Sequence, residues 1–231
     1  QRQMCIRDRS YLFDEGKYTE LDAYAAIAKG LCGVVTAFGY VDGNPCYAFS
    51  QDVTANMGAL NKTQADKIAK IYDLAAKTGV PVVGIYDSCG ADLTDGCEAL
   101  AAYGELLMWM SNLSGVVPQI SVVAGVCSGT SAMLAESADI TVICKDAELY
   151  CSPNSEVKSS AENAMKNGTA ALCADTDKEA MDAVKALLVK LPLNNISPVP
   201  MYEFDMPAAA YGDNAAAQAA VSYTHLTLPT I

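Results

Sequence analysis

The apolar and polar positions of the chain first predict a β-hairpin followed by a helix. Residues 33–40 and 46–50 are rich in β-branched and aromatic side chains. They flank an Asp-Gly pair at 42–43, which is a strong short-range signal for a hairpin turn. Residues 62–77 then carry apolar side chains at helical spacing, and Gly79 follows as a helix stop. The pattern therefore predicts a strand, strand, helix unit.

The middle of the chain twice repeats an apolar strand, a turn of small residues and a helix. Residues 80–86 form the first apolar run, and a helix is predicted from about 95 to 113, capped by Thr94 or Asp95. A second copy of this plan spans 118–131. We expect the first helix to face the core through Leu100, Tyr103, Leu107 and Met110.

The last third of the chain continues the same alternation. A short helix is predicted at 131–137, strands at 140–144 and 148–150, and an amphipathic helix at 176–191 that Pro192 ends. Strand, strand, helix thus recurs in a chain of 231 residues that is 52% apolar. We therefore expect one α/β domain with a single sizeable core.

The two ends of the sequence do not fit this pattern. Residues 4–8 (MCIRD) can be encoded by a DNA string whose reverse complement encodes VSYTH, which is the sequence at 221–225. We therefore expect residues 1–9 and 221–231 to derive from a library adapter and the reading frame to be cut.

What remains is a domain predicted at 10–195 and a linker predicted at 196–220, which is rich in Pro, Asn and Ala and would lead towards a further half. The single histidine and the arginines fall in the excluded ends: His225, Arg2, Arg7 and Arg9. Chemistry that needs an imidazole or a guanidinium is therefore not expected of the domain.

The charge and the apolar runs limit the partners of the chain. Its formal net charge is −12, so it should repel nucleic acid and anionic membrane surfaces. Its longest apolar run, at 116–126, is too short and too interrupted to span a bilayer. We therefore expect neither nucleic-acid binding nor direct membrane insertion.

The cysteines indicate the compartment. Apart from Cys5 in the excluded head, they show no C-x-x-C spacing and lie mostly within apolar runs. Buried free thiols in a reducing cytoplasm explain this pattern better than disulfides or a metal site. The sequence therefore predicts a cytoplasmic protein without a metal.

The turns that follow the two repeated strands are the candidate functional centre. We expect the two strands to be neighbours, so that the turns converge. Backbone N–H groups at the start of a helix have no partner within it, so two such turns can together hold an oxyanion. A simpler interpretation is that each turn needs its glycine, Gly90 or Gly129, for conformation alone. In a third interpretation, residues 125–129 (GVCSG) form a nucleophile elbow around Cys127. A cysteine hydrolase also needs a histidine base, and the predicted domain contains no histidine.

Six short motifs follow one another in an order that is similar to that of a known family. They are LFDEG (12–16), SQD (50–52), KIAKIYDLA (67–75), DSCGA (87–91), YGE (103–105) and SGVVPQIS (114–121). Together with the hairpin they resemble the N-terminal half of the biotin-dependent acyl-CoA carboxyltransferases. That group includes propionyl-CoA carboxylase beta subunits, transcarboxylase and methylmalonyl-CoA decarboxylase alpha subunits. Each motif is weak by itself, whereas the series covers nearly all of residues 10–195.

The resemblance implies a crotonase-like spiral of repeated ββα units, in agreement with the recurrence described above. It implies an enzyme component that moves a carboxyl group between biotin and an acyl-CoA through an enolate. This half would bind acyl-CoA, and a second, C-terminal half would bind carboxybiotin. The implied partners are that C-terminal half, a biotin carrier protein and further copies of the complete subunit. We therefore expect that this chain does not transfer a carboxyl group by itself.

The resemblance also implies where the enolate oxygen binds. Backbone amides of both turns would hold it, and the matching positions are Cys89, Gly90, Gly129 and Thr130. The helix at 62–77 adds lysines at neighbouring helical positions, which would meet either CoA phosphates or solvent: Lys62, Lys67 and Lys70. An apolar face meant for the second half is expected around Ala91, Ala99, Ala101 and Ala102.

Three positions depart from the family pattern. Asp92 matches a family arginine, and Asp66 matches a position that is usually basic. Thr130 replaces a glycine, and a β-branched side chain would resist a positive φ and crowd a thioester. These departures leave open a divergent acyl pocket or a subunit that no longer catalyses.

Two other functions also remain open. A crotonase-type acyl-CoA hydratase or isomerase would need carboxylates as acid and base, which Glu98, Glu105 or Glu136 would supply if they are not simply on helix surfaces. A non-catalytic structural subunit of a carboxylase complex, or a plain acyl-CoA binder, would need none.

Overall fold

The computed structural model describes residues 11–24, 26–27, 30–152 and 159–198. Both predicted adapter segments, most of the predicted linker, His225 and the arginines lie outside the described residues. The chain divides into two compact units, 1–199 and 200–231, and every described residue belongs to the first.

The described residues form β-strands and α-helices. The strands are β1 (Tyr18–Leu21), β2 (Ala26–Ile27), β3 (Gly30–Leu31), β4 (Val34–Val41), β5 (Asn44–Gln51), β6 (Val82–Ser88), β7 (Gln119–Ser128), β8 (Ile140–Cys144), β9 (Glu148–Tyr150) and β10 (Leu172–Ala174). The helices that lie wholly within the described residues are α1 (Lys62–Thr78), α2 (Cys97–Leu113), α3 (Thr130–Glu136), α4 (Ala161–Asn167) and α5 (Asp177–Lys190). Short 3-10 turns lie at Asp14–Gly16, Asn56–Gly58 and Leu93–Asp95.

One sheet holds most of the strands, in the order β1-β4-β5-β6-β7-β8-β10, and β9 pairs with the far end of β7. The β1-β4-β5 part is antiparallel, and the pairs from β5 to β10 are parallel. Residues 82–86 of β6 are buried without interruption, as is typical of a central parallel strand that is covered on both faces. β6 and β7 are neighbours, as the sequence predicted.

The predicted hairpin is confirmed. β4 and β5 pair from Val34 opposite Gln51 to Val41 opposite Asn44. The two residues between the strands both have positive φ, 47° at Asp42 and 77° at Gly43, which is the geometry of a tight primed turn. The Asp14 carboxylate accepts the N–H groups of both turn residues at 2.8 and 2.9 Å and so fixes the turn.

Helix α1 begins and ends where its sequence signals lie. Asn61 and Gln64 form a capping box, in which each side chain accepts the backbone N–H of the other residue. Gly79 ends the helix in the left-handed conformation. The side chain of Asn194, beyond α5, donates to the Gly79 carbonyl oxygen at 2.9 Å and ties the end of the domain to this helix.

The core around β6 contains a group of buried aromatic rings. The ring of Phe49 lies 6.2 Å from that of Tyr72 and 5.5 Å, edge-on, from that of Tyr86. A Cβ at Gly84 would lie 2.6 Å from the Phe49 ring, so glycine permits this approach. The Tyr86 hydroxyl hydrogen-bonds with those of Tyr72 and Ser121, which satisfies the buried phenols.

The predicted stripe of α2 is partly wrong. Tyr103 and Met110 are buried, but Leu100 is 63% exposed and Leu107 is half-buried. The buried line runs through Ala99, Ala102, Tyr103, Leu106, Met110 and Leu113. This line also has helical spacing, and α2 packs against α1. The prediction of an exposed alanine face is therefore wrong at Ala99 and Ala102, which are buried. Ala101 is exposed and Ala91 is half-buried.

The predicted cap of α2 is wrong as well. Gly96, with φ 57°, precedes the helix, and no side chain caps it. Asp92 caps the 3-10 turn Leu93–Asp95 instead. The Asp95 carboxylate accepts the N–H of Lys62 at 3.2 Å, so it serves the start of α1, a helix remote in sequence.

The later elements follow the prediction, with additions. α3, β8 and β9 lie within about a residue of their expected positions, and Thr176 caps α5 at the Glu179 N–H. α4 and β10 were not predicted from the sequence. α4 follows β8 and β9, which completes a further strand, strand, helix unit.

Candidate active site

The candidate site lies where β6 and β7 end. Their pairing runs in register from Val82 to Tyr86 and then shifts, so that Ser88 pairs with Cys127. Each strand leads into a turn with a positive-φ glycine, Gly90 at 106° and Gly129 at 60°. Because parallel neighbours end at the same edge of a sheet, the two turns lie side by side.

A cavity of about 400 Å³ opens between the two turns. It is lined by Asn56, Met57, Ala59, Cys89, Gly90, Ala91, Asp92, Leu93, Thr94, Gly129 and Thr130. A Cβ built on Gly90 would lie 3.3 Å from the Ser128 carbonyl oxygen and 4.0 Å from the Thr130 nitrogen. The structure therefore brings together all four positions that the sequence suggested for an oxyanion hole.

The first turn leaves one N–H group without a hydrogen-bond partner among the described residues. The amide of Cys89 donates to the Met57 carbonyl oxygen at 3.1 Å, and that of Gly90 donates to the Ser88 hydroxyl at 3.1 Å. Leu60 pairs with Gly90 and Asp92 through backbone bonds of 2.9 Å, so in this extended stretch the N–H of Ala91 points away from Leu60. The Ala91 N–H has no hydrogen-bond partner within the described part of the chain.

The second turn offers a matching donor. The Gly129 N–H donates to the Tyr150 carbonyl oxygen at 2.9 Å, so β9 already occupies it. Thr130 is the first residue of α3, where an N–H has no partner within the helix, and it has none elsewhere among the residues described. The donors available to a ligand are thus Ala91 and Thr130, one residue beyond both glycines.

The expected strain at Thr130 does not occur. Thr130 lies in the helix and does not have a positive φ, whereas the preceding Gly129 carries the unusual conformation at φ 60° and ψ −128°. A β-branched residue is therefore accommodated at this position without the backbone conflict that the sequence suggested.

A chain of buried hydroxyl groups joins the two turns. Ser131, the residue after Thr130, donates through Oγ to Ser88 Oγ at 2.9 Å. The Tyr103 hydroxyl lies 2.7 Å from Ser131 Oγ, and it must be the donor because the Ser131 proton is already used. Ser88 Oγ also accepts the Gly90 N–H. Sequence reasoning missed this chain, since its members lie on three elements and match no motif.

Asp92 stands where the family has an arginine, and hydrogen bonds stabilise its negative charge. Asp92 is 9% exposed, and its Oδ1 accepts both the N–H and the hydroxyl of Thr94, at 2.9 and 2.7 Å. The carboxylate is the helix-capping group of the turn at 93–95. Its structural role explains why an acidic side chain is stable beside the cavity.

The three candidate CoA-binding lysines have different surroundings. Lys62 Nζ bonds Asp66 at 2.5 Å and Glu105 at 3.1 Å, and these bonds, that to Asp66 first, raise the pKa of Lys62. Lys70 Nζ bonds Asp22 at 2.7 Å. Lys62 and Lys70 keep side chains that are 43% and 52% exposed.

Lys67 points the other way. It is 6% exposed, and its ammonium donates to the Val34 carbonyl oxygen at 2.7 Å. The three lysines therefore do not form one basic face, and Asp66 and Asp22 stand among them. A surface cavity of about 720 Å³ beside α1 is lined by both signs of charge, with Glu20, Asp22, Thr63, Asp66, Lys67 and Lys70 in its wall.

The structure argues against the nucleophile elbow. Cys127 is fully buried, and burial raises the pKa of its thiol, so a thiolate is disfavoured there. The expectation that the cysteines are buried holds for Cys46, Cys127 and Cys144. It is wrong for four others, which are exposed and free: Cys89, Cys97, Cys151 and Cys173.

The carboxylates that a hydratase would need do not line the cavity. Glu105 is paired with Lys62, and Glu98 and Glu136 lie on exposed helix surfaces. Partial burial raises the pKa of Glu136, but it lies near Cys151, away from the turns. Acid and base chemistry by these residues therefore finds no support in the geometry.

Asp87 is the one carboxylate of the strand ends with a strongly shifted pKa. It lies beside the part of β7 where the register with β6 shifts. A Cβ on Gly125 would overlap its carboxylate there. Burial raises its pKa to about 6, helped by Asp52 and Asp177 and opposed by a hydrogen bond from the Val126 backbone. The glycine in β7 thus makes room for a half-buried acid.

The described part of the chain contains no cluster of three or more His, Cys, Asp or Glu side chains placed to bind a metal ion. No helix in that part combines the length and apolarity needed to cross a membrane.

Comparison with known proteins defines the class. Transcarboxylase 12S, solved with methylmalonyl-coenzyme A bound and described as a hexamer assembly, matches with a TM-score of 0.81 and 28% identity, over 87% of this chain and 45% of the other. The chain therefore has a crotonase-like α/β fold, as the family resemblance implied.

The family follows from the sequence. The carboxyl transferase domain family matches residues 2–219, and the chain belongs to this family. The methylmalonyl-CoA decarboxylase subunit alpha of Propionigenium modestum is 36% identical over 87% of this chain and 44% of that protein. The propionyl-CoA carboxylase beta chain of Saccharopolyspora erythraea is 34% identical over 83% of this chain and 39% of that protein. The chain thus spans less than half the length of these relatives.

Proposed function

We propose that this chain is the acyl-CoA-binding half of a biotin-dependent carboxyltransferase or decarboxylase. The observation that carries the proposal is the pair of unpartnered N–H groups, at Ala91 and Thr130, beside one cavity. A thioester oxygen between them would be stabilised as it gains negative charge in the enolate. Fixed N–H donors aimed at developing charge are among the largest contributions to catalysis, roughly 100- to 1000-fold per donor.

The wall of the cavity suits an uncharged acyl group. Met57 and Leu93 are exposed apolar side chains at its rim, and Ala59 and Cys89 are small. Within the described residues, the wall has one acidic side chain, Asp92, and one of its carboxylate oxygens accepts hydrogen bonds from Thr94. A short apolar acyl chain would therefore have apolar surface to lie against.

The CoA nucleotide needs cations at some distance from the thioester. Lys62 and Lys70 are the exposed candidates, since each could exchange a carboxylate partner for a phosphate at little cost. Lys67 was predicted with them, but its contact with Val34 leaves it no direct part in this role.

The second reactant would come from outside this chain. Biotin on a carrier protein would supply or accept the carboxyl group, presented by a C-terminal half in an assembly of several copies of the complete subunit. Holding two reactants in the correct geometry is worth roughly 7–11 kcal/mol of barrier. The free thiols fit a cytoplasmic setting.

The test compares two ligands that differ in the carbonyl group. Propionyl-CoA and its thioether analogue S-propyl-CoA would be titrated against the chain by calorimetry. We expect the thioester to bind severalfold more tightly, because the carbonyl oxygen accepts two N–H bonds and each is worth roughly 0.5–1.5 kcal/mol.

Thr130→Pro removes one of those donors. Thr130 is the first helical position, where proline fits and its missing N–H costs the helix nothing. The control is Thr130→Ala, which keeps the N–H and loses the side chain. The preference for the thioester should fall in Thr130→Pro and persist in Thr130→Ala. Equal binding of both ligands by the unmodified chain would refute the proposal.

A further inference from the structure

Each free N–H group of the site is next in sequence either to a member of the hydroxyl chain or to a residue that bonds to one. Ser88 Oγ accepts the N–H of Gly90, the residue before Ala91. Ser131 follows Thr130 directly. The bond between Ser131 and Ser88 therefore joins the two backbone segments that carry the donors, and it does so at 2.9 Å.

Tyr103 supplies the remaining link from a third element. Its hydroxyl donates to Ser131 from the buried face of α2, and all three side chains are at most 1% exposed. With Tyr103 as donor, Ser131 has its own proton free to donate to Ser88. Without it, the Ser131 oxygen would lose a partner in a place that water does not reach, and its hydroxyl could rotate away.

We propose that Tyr103 is a positioning residue. It acts through Ser131 and Ser88 to hold the N–H groups of Ala91 and Thr130 where both can donate to the same oxygen atom. The inference rests on the proposed function. It goes beyond the binding role of the two turns, because it assigns their relative placement to a side chain of α2 that does not line the cavity.

The core contains a matched control. Tyr72 also takes part in a buried chain of hydroxyls, with Tyr86 and Ser121, but none of these three residues lies in either turn. Tyr72→Phe and Tyr103→Phe each remove one buried phenol oxygen with little change in shape. Both should lower the stability, so stability alone does not distinguish a positioning role from a structural one.

Two readouts do distinguish them. The first is the ratio of the dissociation constants of S-propyl-CoA and propionyl-CoA, which we expect to fall roughly two- to tenfold in Tyr103→Phe, the range for one hydrogen bond, and to stay unchanged in Tyr72→Phe. The second readout is the NMR chemical shift of the Ala91 and Thr130 amide groups in the ligand-free protein. These shifts should change in Tyr103→Phe and stay the same in Tyr72→Phe. Ser131→Ala, a smaller change, should reproduce both effects if Tyr103→Phe folds poorly.

The outcomes separate the two proposals. A thioester preference in the unmodified chain that survives in Tyr103→Phe and Ser131→Ala, with unmoved amide shifts, would overturn the positioning role and leave the proposed function standing. No thioester preference in the unmodified chain would overturn the proposed function, and the positioning role with it.

Discussion

Ser131 Oγ donates a hydrogen bond to Ser88 Oγ at 2.9 Å, although the two residues are 43 positions apart in the chain. Ser88 ends β6 and Ser131 lies in the first turn of α3, so this bond fixes one candidate turn to the other. Both residues are fully buried, where an unpaired hydroxyl would be costly. The relative position of the turns is therefore set by a specific polar contact as well as by the pairing of β6 with β7.

The conformation of Gly129 is a requirement of the second turn. At φ 60° and ψ −128° an added Cβ meets nothing within 4 Å, so the cost of Gly129→Ala is in the backbone alone. We expect a loss of about 1–3 kcal/mol in the free energy of unfolding, measured by urea denaturation. Gly104→Ala is the control, because Gly104 lies in α2 and also has open space. It should stabilise by about 0.5–1 kcal/mol; equal effects of the two variants would contradict this account.

Asp92 acts as a cap and not as an exposed charge. Asp92→Asn keeps an oxygen that accepts from Thr94, so stability should change little. Asp92→Ala loses that acceptor and should cost about 1 kcal/mol. Asp92→Arg, which restores the residue expected from the family, should cost at least as much, because a guanidinium accepts no hydrogen bond. Thermal unfolding of the three variants measures the series, and a more stable Asp92→Arg would show that the cap is dispensable.

The sequence predicted those parts of the fold whose signals are local. The Asp42-Gly43 turn and the Gly79 stop lie beside the elements that they delimit, so hairpin and helix were both found. The cap of α2 was predicted wrongly, because one expected cap, Asp95, bonds instead to Lys62 at the start of α1. Such a contact depends on the tertiary arrangement and leaves no pattern in the neighbouring residues.

The sequence located the two turns of the candidate site but not its free N–H groups. The glycine turns and the resemblance pointed to Cys89, Gly90, Gly129 and Thr130, but which N–H groups remain free is decided by acceptors elsewhere, such as the Ser88 hydroxyl and the Tyr150 carbonyl oxygen. The inward face of α2 was misjudged for a related reason. Ala99 has little apolar weight in a sequence pattern, yet it is buried.

Asp87 should make the stability depend on pH. Its pKa is about 6 in the folded protein, compared with about 3.9 for an unfolded aspartate. The folded state binds the proton more tightly, so the stabilisation from protonation is complete below the unfolded pKa and is lost as the pH rises through about 6. Asp87→Asn, which keeps an acceptor for Val126, should match the unmodified chain near pH 4 and be more stable at pH 7.

The measurement is the difference in unfolding free energy between Asp87→Asn and the unmodified chain at several pH values. Asp146→Asn, which removes a negative charge from an exposed turn, is the control for net charge. A difference that is constant between pH 4 and pH 7 would show that Asp87 is not the titrating group. The neighbouring Asp52 and Asp177 contribute to the shift, so Asp52→Asn should reduce the pH dependence slightly.

The lysines of α1 should separate into two kinds. Lys67→Met removes the buried bond to Val34, so it should lower the stability by about 1–3 kcal/mol, because a buried carbonyl oxygen loses its partner. It should leave the affinity for CoA unchanged.

Lys62→Met and Lys70→Met remove exposed charges and should instead weaken CoA binding about two- to fivefold, the range for exposed ion pairs. Lys77→Met is the control, since Lys77 is exposed at the far end of α1 and pairs with Asp73. The loss should be larger at 20 mM than at 500 mM salt, because screening weakens charge contacts at the surface. If Lys67→Met alone weakened CoA binding, the ammonium would have to leave Val34 on binding, and the nucleotide would lie over the buried side of α1.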